Sequence, residues 1–241
     1  MRVLIAAGGT AGHINPALAI AGALKAADPA AEIHFAGRKE GMEYGLVTKA
    51  GYPFHHIEIN GFQRKPTLKN VGRNVVALYH LALSGPRTAA ILKEVRPDLV
   101  IGCGGYVSGP VVRAAAKKGI KTAIHEQNAF PGVTNKLLAK DVDVVFAASA
   151  AAVEKLGAPE KTLVVGNPVR PEILNRDRAA ARGNDTARPC GKLPQDSALL
   201  LPERLLAVRG QVRRRRHADT LRQQGITVGK GLAGPRRQQA A

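Results

Sequence analysis

Tryptophan is absent from this 241-residue sequence, and cysteine and methionine occur only twice each. Because Cys103 and Cys190 lie in regions of very different composition, we expect no disulfide, and the class of small disulfide-stabilised secreted domains is excluded. No secretory leader precedes the first apolar segment, which favours a reducing, cytoplasmic location. No apolar run reaches the roughly 18 residues that a membrane span needs, so the sequence predicts that any membrane contact is peripheral.

Acidic residues are also scarce: 18 Asp and Glu stand against 36 Lys and Arg, which gives a formal net charge of +18. The imbalance is largest after Leu174, since residues 175–241 hold 15 basic and 5 acidic residues, no aromatic residue and a single isoleucine. The smaller basic excess before that point suits an acidic ligand or an anionic membrane surface. Only residues 1–174 have the composition to build a normal hydrophobic core.

The most informative segment is Met1–Leu24, MRVLIAAGGTAGHINPALAIAGAL. An apolar run of strand length is followed by the glycine turn Gly8–His13, and Pro16 is expected to open an alanine- and leucine-rich helix. Glycines let the backbone approach a ligand closely, and a helix start offers unpaired N–H groups to a phosphate. The glycine spacing fits neither the dinucleotide fingerprint nor the P-loop, so NAD and the common ATP site are not indicated.

His13 places a titratable side chain beside this expected anion site, although the motif also fits a helix-capping turn with a surface histidine. A second glycine turn, Gly104–Pro110, follows another apolar segment and again leads into a helix, with Pro110 expected at its first position. Two such turns at one edge of a sheet suggest that two phosphates, or one diphosphate, are held there.

Strand-like and helical segments alternate along the first 165 residues. The predicted strands are Arg2–Ala7, Glu32–Ala36, His55–Ile59, Leu99–Cys103, Thr122–Glu126, Val142–Ala147 and Thr162–Val165. The predicted helices lie around Ala17–Ala27, Glu43–Ala50, Leu68–Leu83, Arg87–Val95, Val111–Lys118, Gly132–Lys140 and Ala150–Leu156, and Gly51, Gly119 and Gly157 are expected where helices stop. This alternation predicts an α/β fold with a Rossmann-like, doubly wound parallel sheet, whose ligands bind at the carboxyl ends of the strands.

Four polar side chains, His125–Asn128, follow another predicted strand. Glu126 and Asn128 are the better functional candidates, because a carboxylate can take up a proton from a sugar hydroxyl and a carboxamide can hydrogen-bond to one. His125 and Gln127 fit equally well a structural role, in which they cap the next helix or satisfy buried backbone groups. No cluster of metal ligands is visible, so we expect neither a metal nor another cofactor. Cys103 is interpreted as a small core residue, since no activating His or Lys adjoins it.

The segment Gln63–Lys93 carries apolar residues flanked by basic ones, namely Arg64, Lys65, Lys69, Arg73 and Arg87. Its ordinary interpretation is an amphipathic helix whose apolar face packs on the sheet. A basic rim around an exposed apolar patch would instead favour contact with an anionic bilayer.

Four motifs, GGTAGHINPALA, GGYVSGP, HEQNAFPGVTNKLLA and VVGNPVRPEI, closely resemble those of the MurG family of glycosyltransferases, in the same order and at similar spacing. The resemblance covers Met1 to about Leu174. It implies a GT-B enzyme at the cytoplasmic face of the membrane, in which this domain receives the lipid substrate and a second domain binds most of the donor. It further implies inverting transfer of N-acetylglucosamine from UDP-N-acetylglucosamine to the C4 hydroxyl of undecaprenyl-diphosphate-linked N-acetylmuramyl-pentapeptide.

The resemblance also assigns roles to individual residues. His13 and Glu126 match residues with catalytic or acceptor-positioning roles, and His13 is a reasonable base because its neutral form is available at pH 7. Helix starts could stabilise the diphosphate charge without a metal. The residues that match donor contacts are Thr10, Ala11, Gly12, Asn128 and Arg170, and those that match the loop for the acceptor diphosphate are Gly104, Gly105 and Tyr106.

The resemblance ends near Asn175. The sequence therefore predicts an acceptor-binding domain over residues 1–168, the start of an interdomain hinge over 169–174 and a non-matching, arginine-rich tail over 175–241 whose composition predicts disorder. The abrupt change is typical of an out-of-frame reading of GC-rich DNA, and without the donor domain we expect this form to be inactive. One alternative is a non-catalytic module that binds a lipid diphosphate or a membrane surface. A nucleic-acid-binding tail is another, but the lack of aromatic residues and of a recognised module argues against it.

Overall fold

The computed structural model describes residues 1–59, 80 and 84–170 of the chain. Its seven strands are β1 (Arg2–Ala6), β2 (Glu32–Gly37), β3 (Phe54–His56), β4 (Leu99–Gly102), β5 (Lys121–Glu126), β6 (Val144–Ala147) and β7 (Thr162–Val164). They form one sheet in the order β3-β2-β1-β4-β5-β6-β7, and every neighbouring pair is parallel. The predicted doubly wound parallel sheet is confirmed, although β3 is shorter than expected.

The helices are α1 (Ala11–Ala27), α2 (Met42–Lys49), α3 (described over residues 84–95), α4 (Ser108–Lys117), α5 (Val133–Leu138) and α6 (Val153–Leu156), with short 3-10 turns at Ala150–Ala152 and Pro159–Lys161. Gly51, Gly119 and Gly157 follow helices α2, α4 and α6 with φ angles of +80°, +68° and +70°. A left-handed residue after a helix favours glycine, so these predicted helix ends are confirmed. The helix predicted around Leu68–Leu83 lies outside the described residues apart from His80.

Two helices begin earlier than their prolines indicated. Pro16 lies inside α1, which starts at Ala11 with Thr10 as its N-cap, and Pro110 lies inside α4, which starts at Ser108. Expecting each proline at the first helical position was therefore wrong, because the glycine turns themselves lead directly into the helices. Both helix N-termini consequently lie closer to the strand ends than the sequence indicated.

The centre of the sheet is fully buried. The side chains of Val3–Ala6 in β1 and Leu99–Ile101 in β4 have no solvent exposure, because helices cover both faces. β1 and β4 are hydrogen-bonded neighbours although β2 and β3 lie between them in sequence. Connections leave the two strands toward opposite sides of the sheet, which opens a crevice at their carboxyl ends. The two glycine turns lie at this point.

Candidate functional site

The two glycine loops touch each other at the carboxyl ends of β1 and β4. A Cβ on Gly105 would overlap the carbonyl oxygen of Gly8, so only glycine permits this contact. Gly9, Gly104 and Gly105 have φ angles of +85°, +95° and +81°, a region that residues with a side chain rarely adopt. The expectation that both turns meet at one sheet edge is confirmed.

Ser108 fastens the second loop to β1. Its buried hydroxyl oxygen lies 2.8 Å from the carbonyl oxygens of both Ala6 and Gly104, and it accepts a hydrogen bond from the Gly104 N–H at 3.0 Å. The single hydroxyl proton can serve one carbonyl at a time. Ser108 was not predicted from the sequence, in which the available signal was a hydroxyl at the start of a helix after a glycine turn.

His13 stands where the loops meet. Its Nδ1 lies 3.0 Å from the carbonyl oxygen of Gly8 and 3.3 Å from the hydroxyl of Thr10. Because a carbonyl oxygen only accepts, Nδ1 carries the proton and Nε2 is the unprotonated nitrogen of the neutral ring. A Cβ on Gly104 would lie 2.7 Å from Cδ2 and 3.0 Å from Nε2, so the ring packs on the second loop. In the neutral ring, Nε2 is therefore the nitrogen that can accept a proton, and it lies beside the second loop.

Helix α1 directs its N-terminus to the same place. The N–H groups of His13 and Ile14 donate to the Thr10 carbonyl at 3.1 and 3.2 Å. Those of Ala11 and Gly12 make no hydrogen bond within the described part of the chain, and both residues are exposed. Two free donors at the start of a 17-residue helix form a site suited to an anion.

Glu126 organises the loop that follows β5. Only 1% of its surface is exposed, and its carboxylate accepts four hydrogen bonds. Oε1 accepts from the backbone N–H and the Nδ2 of Asn128 at 2.9 and 3.0 Å, and Oε2 accepts from the Gly132 N–H at 3.1 Å and from Asn135 Nδ2 at 2.9 Å. Both oxygens are thus occupied inside the loop, an arrangement that suits a carboxylate that positions Asn128. Asn135 was missed because nothing near it in sequence marks it as a partner of Glu126.

His125 and Gln127 connect neighbouring segments beneath that loop. His125 Nε2 lies 3.2 Å from the Gly166 carbonyl, so Nε2 donates and Nδ1 accepts from Gln127 Nε2 at 3.1 Å. Gln127 Nε2 also donates to the Cys103 carbonyl at 3.0 Å. Burial lowers the pKa of His125 to about 4 and raises the pKa of the Cys103 thiol to about 12. These contacts support the structural alternative for His125 and Gln127 and the core assignment of Cys103.

The remaining predicted site residues are less tightly connected. Asn128 and Tyr106 are exposed on the loops after β5 and β4. Arg170 is partly buried, and no hydrogen bond joins it to the other candidates among the described residues. The structure therefore brings together both glycine loops, Thr10 and His13 at the ends of β1 and β4. Glu126 and Asn128 lie at the end of β5, the strand that pairs with β4.

Fold and site together define a Rossmann-like domain in which two glycine loops, a helix N-terminus and a histidine meet at the topological switch point. The comparison with known families is more specific, since the model of the glycosyltransferase family 28 N-terminal domain matches residues 3–147. The chain belongs to this glycosyltransferase family.

Its similarity to individual proteins is substantial over the same region. It is 48% identical over 183 residues to the UDP-N-acetylglucosamine–N-acetylmuramyl-(pentapeptide) pyrophosphoryl-undecaprenol N-acetylglucosamine transferase of Ruminiclostridium cellulolyticum, a match that covers 75% of this chain and 49% of the relative. The protein of the same name from Desulforamulus reducens is 44% identical over 202 residues, covering 83% and 51%. The crystal structure of Acinetobacter baumannii MurG superposes with a TM-score of 0.55 at 28% identity, covering 71% and 46%.

These matches confirm the resemblance to the MurG family. The chain spans about half the length of the curated relatives that it matches.

Proposed function

We propose that this chain supplies the acceptor-binding half of an inverting N-acetylglucosaminyltransferase. The donor would be UDP-N-acetylglucosamine, and the acceptor would be undecaprenyl-diphosphate-linked N-acetylmuramyl-pentapeptide. The names of the relatives supply these substrates. The observation that carries the proposal is the position of His13: its Nδ1 contacts the Gly8 carbonyl of the first glycine loop, its ring packs on Gly104 of the second, and it directly follows Ala11 and Gly12 at the start of α1.

In this mechanism His13 Nε2 takes the proton from the C4 hydroxyl of the muramyl sugar. The freed oxygen attacks the anomeric carbon of the donor, and the bond to UDP breaks with its electron pair on the departing phosphate oxygen. The hydrogen bond from Nδ1 to Gly8 holds the tautomer that this step requires. The N–H groups of Ala11 and Gly12 stabilise the charge that develops on the departing UDP.

The other loops hold the substrates in attack geometry. Gly104, Gly105 and Tyr106 at the start of α4 bind the acceptor diphosphate. Glu126 occupies the amide group of Asn128 and so leaves the Asn128 carbonyl oxygen available to a donor hydroxyl. Arg170 contributes a further donor contact from the segment after β7.

A peripheral contact with the cytoplasmic face of an anionic membrane completes the proposal. None of the helices that the structure describes is long and apolar enough to cross a bilayer. The proposed contact is Gln63–Lys93, most of which lies outside the described residues. Arg87 within it forms a 2.6 Å ion pair with Glu58 and lowers the pKa of that carboxyl, so the contact would rest on the other four basic residues of the rim.

A transfer assay tests the proposal, with radiolabelled UDP-N-acetylglucosamine and a soluble analogue of the lipid acceptor. Because the chain covers about half of its relatives, we expect the 241 residues alone to transfer little sugar, since catalysis requires both substrates to be held together. Turnover close to that of a full-length relative would contradict this expectation. Binding of the acceptor analogue without any turnover, even after a donor-binding domain is supplied, would favour the non-catalytic binding module.

A further inference from the structure

Glu43 is a buried carboxylate that the proposed mechanism leaves unused. It lies in the first turn of α2, and 1% of its surface is exposed. Its Oε2 accepts from the backbone N–H of Gly9 at 3.3 Å, and its Oε1 accepts from the backbone N–H of Arg38 at 3.1 Å. Burying a carboxylate costs free energy unless hydrogen bonds compensate it, so a buried carboxylate at this position indicates a specific role. It joins the loop after β1 to the loop after β2.

Three glycines make room for this carboxylate. A Cβ would lie 2.6 Å from Glu43 Oε1 at Gly8 and 2.8 Å from Glu43 Cγ at Gly37, and at Gly41 it would overlap the carboxylate. None of the three has a positive φ, so the backbone does not require glycine at these positions. Glu43 therefore fills the space that a side chain would need at Gly8 and Gly41, and at Gly37 it does so together with the ring of Phe54.

The contact with Gly9 is connected directly to the candidate base. The Gly9 N–H and the Gly8 carbonyl belong to one trans peptide group, and in such a planar group the two point in opposite directions. The N–H end faces Glu43 and the carbonyl end accepts from His13 Nδ1. A carboxylate, one peptide group and an imidazole thus form a single chain of hydrogen bonds, in which each bond polarises the next.

We propose that Glu43 is a positioning residue that acts on His13 through the Gly8–Gly9 peptide. By fixing this peptide plane it presents the Gly8 carbonyl to Nδ1, which keeps the proton there and leaves Nε2 free to accept one. Because the Gly9 N–H donates to Glu43, it is not available to an anion at the start of α1. Such an anion would be bound by the N–H groups of Ala11 and Gly12 instead. A contribution of Glu43 to catalysis rests on the proposed function, but its effect on the His13 tautomer does not.

The test measures the tautomer of His13 by ¹⁵N NMR in the 241-residue chain at a pH where the ring is neutral. Glu43→Gln keeps the size of the side chain but removes the charge and one acceptor, and Glu43→Ala removes both acceptors. We expect the Nδ1–H form to dominate in the wild type, to decrease in Glu43→Gln and to decrease most in Glu43→Ala. Exchange of the Gly9 amide with solvent should accelerate about tenfold or more in the same order.

Asp143→Asn is the matched control. Asp143 also accepts a backbone N–H, from Thr122 at 2.9 Å, but it lies at the opposite edge of the sheet, where β5 and β6 begin. It should cost stability without changing the His13 tautomer. An unchanged tautomer in Glu43→Ala, or an equal change in Asp143→Asn, would overturn the proposal.

A second variant displaces the same carboxylate without changing Glu43 itself. It tests the proposal independently if a Glu43 variant fails to fold. Gly41→Ala is compatible with the backbone, since φ there is −87°, but its Cβ would displace Glu43. It should change the tautomer when Glu43 is present and have no further effect in a Glu43→Ala background. If the tautomer responds as expected but His13→Ala leaves turnover intact in a full-length enzyme, the positioning role stands and the proposed base is wrong.

Discussion

His125 should make the stability of this domain depend on pH between about 4 and 6.5. Its ring has no solvent exposure, and burial lowers its pKa from the ordinary 6.5 to about 4 in the folded state. Between these pH values His125 is protonated in the unfolded chain but neutral in the folded chain. His125 therefore leaves the free energy of unfolding undiminished above pH 6.5 and decreases it as the pH is lowered toward 4.

The size of the effect follows from the two pKa values. One pKa unit corresponds to about 1.4 kcal/mol, so the full contribution is roughly 3 kcal/mol and the loss at pH 5 is about 2 kcal/mol. That is a large fraction of the stability of an ordinary domain.

Urea denaturation at pH 7.5 and pH 5, followed by circular dichroism, measures this loss. His125→Gln is the comparison, because its amide can still donate to the Gly166 carbonyl and does not titrate. His55, whose pKa is also lowered by burial, and the carboxylates contribute equally to both proteins, so the difference isolates His125. The wild type should lose about 2 kcal/mol more than the variant on going to pH 5. Equal losses would refute the assignment of a buried neutral ring.

Further predictions concern the base, the donor and the membrane. In a full-length chain that carries this domain, His13→Ala should lower kcat roughly 10²- to 10⁴-fold with a smaller effect on the KM for the acceptor, and an unchanged kcat would leave His13 only a role in shaping the loop. Asn128→Ala should raise the KM for the donor in the same assay, whereas equal effects on both substrates would contradict its role. In a chain ending at Leu174, which removes the basic tail, three charge reversals should abolish sedimentation with anionic vesicles while circular dichroism stays unchanged. These are Lys65→Glu, Lys69→Glu and Arg73→Glu, and undiminished binding would place the membrane contact elsewhere.

The sheet was predictable because its central strands are covered on both faces. Segments such as Val3–Ala6 and Leu99–Ile101 are continuous apolar runs, and the helical segments between them imply parallel crossovers. Helix starts were less predictable. A proline fits the first helical position by its geometry, but Pro16 and Pro110 are tolerated inside helices that glycine turns had already begun.

The site was only partly predictable, for a different physical reason. Glycine turns followed by helices leave a local signal, so both loops and His13 could be recognised from sequence. Side chains that fasten one loop to another leave none, because their partners are distant in sequence. Ser108 bonds to Ala6 and Glu43 bonds to Gly9, and neither pair shares a motif.

A buried polar side chain fastens each of three loops at this edge of the sheet. Glu43 holds the loop after β1, Ser108 holds the loop after β4 and Glu126 holds the loop after β5. Glu43 and Ser108 accept from backbone N–H groups, and Glu126 accepts from both backbone N–H groups and side-chain amides, so both oxygens of each carboxylate already have hydrogen-bond partners. His13 differs from them, since its Nδ1 is fixed by one of these loops while its Nε2 has no partner in the described part of the chain. Loops held in this way need little rearrangement when substrates bind, which lowers the cost of reaching attack geometry. This difference between His13 and the buried side chains supports the proposal that His13 is the base.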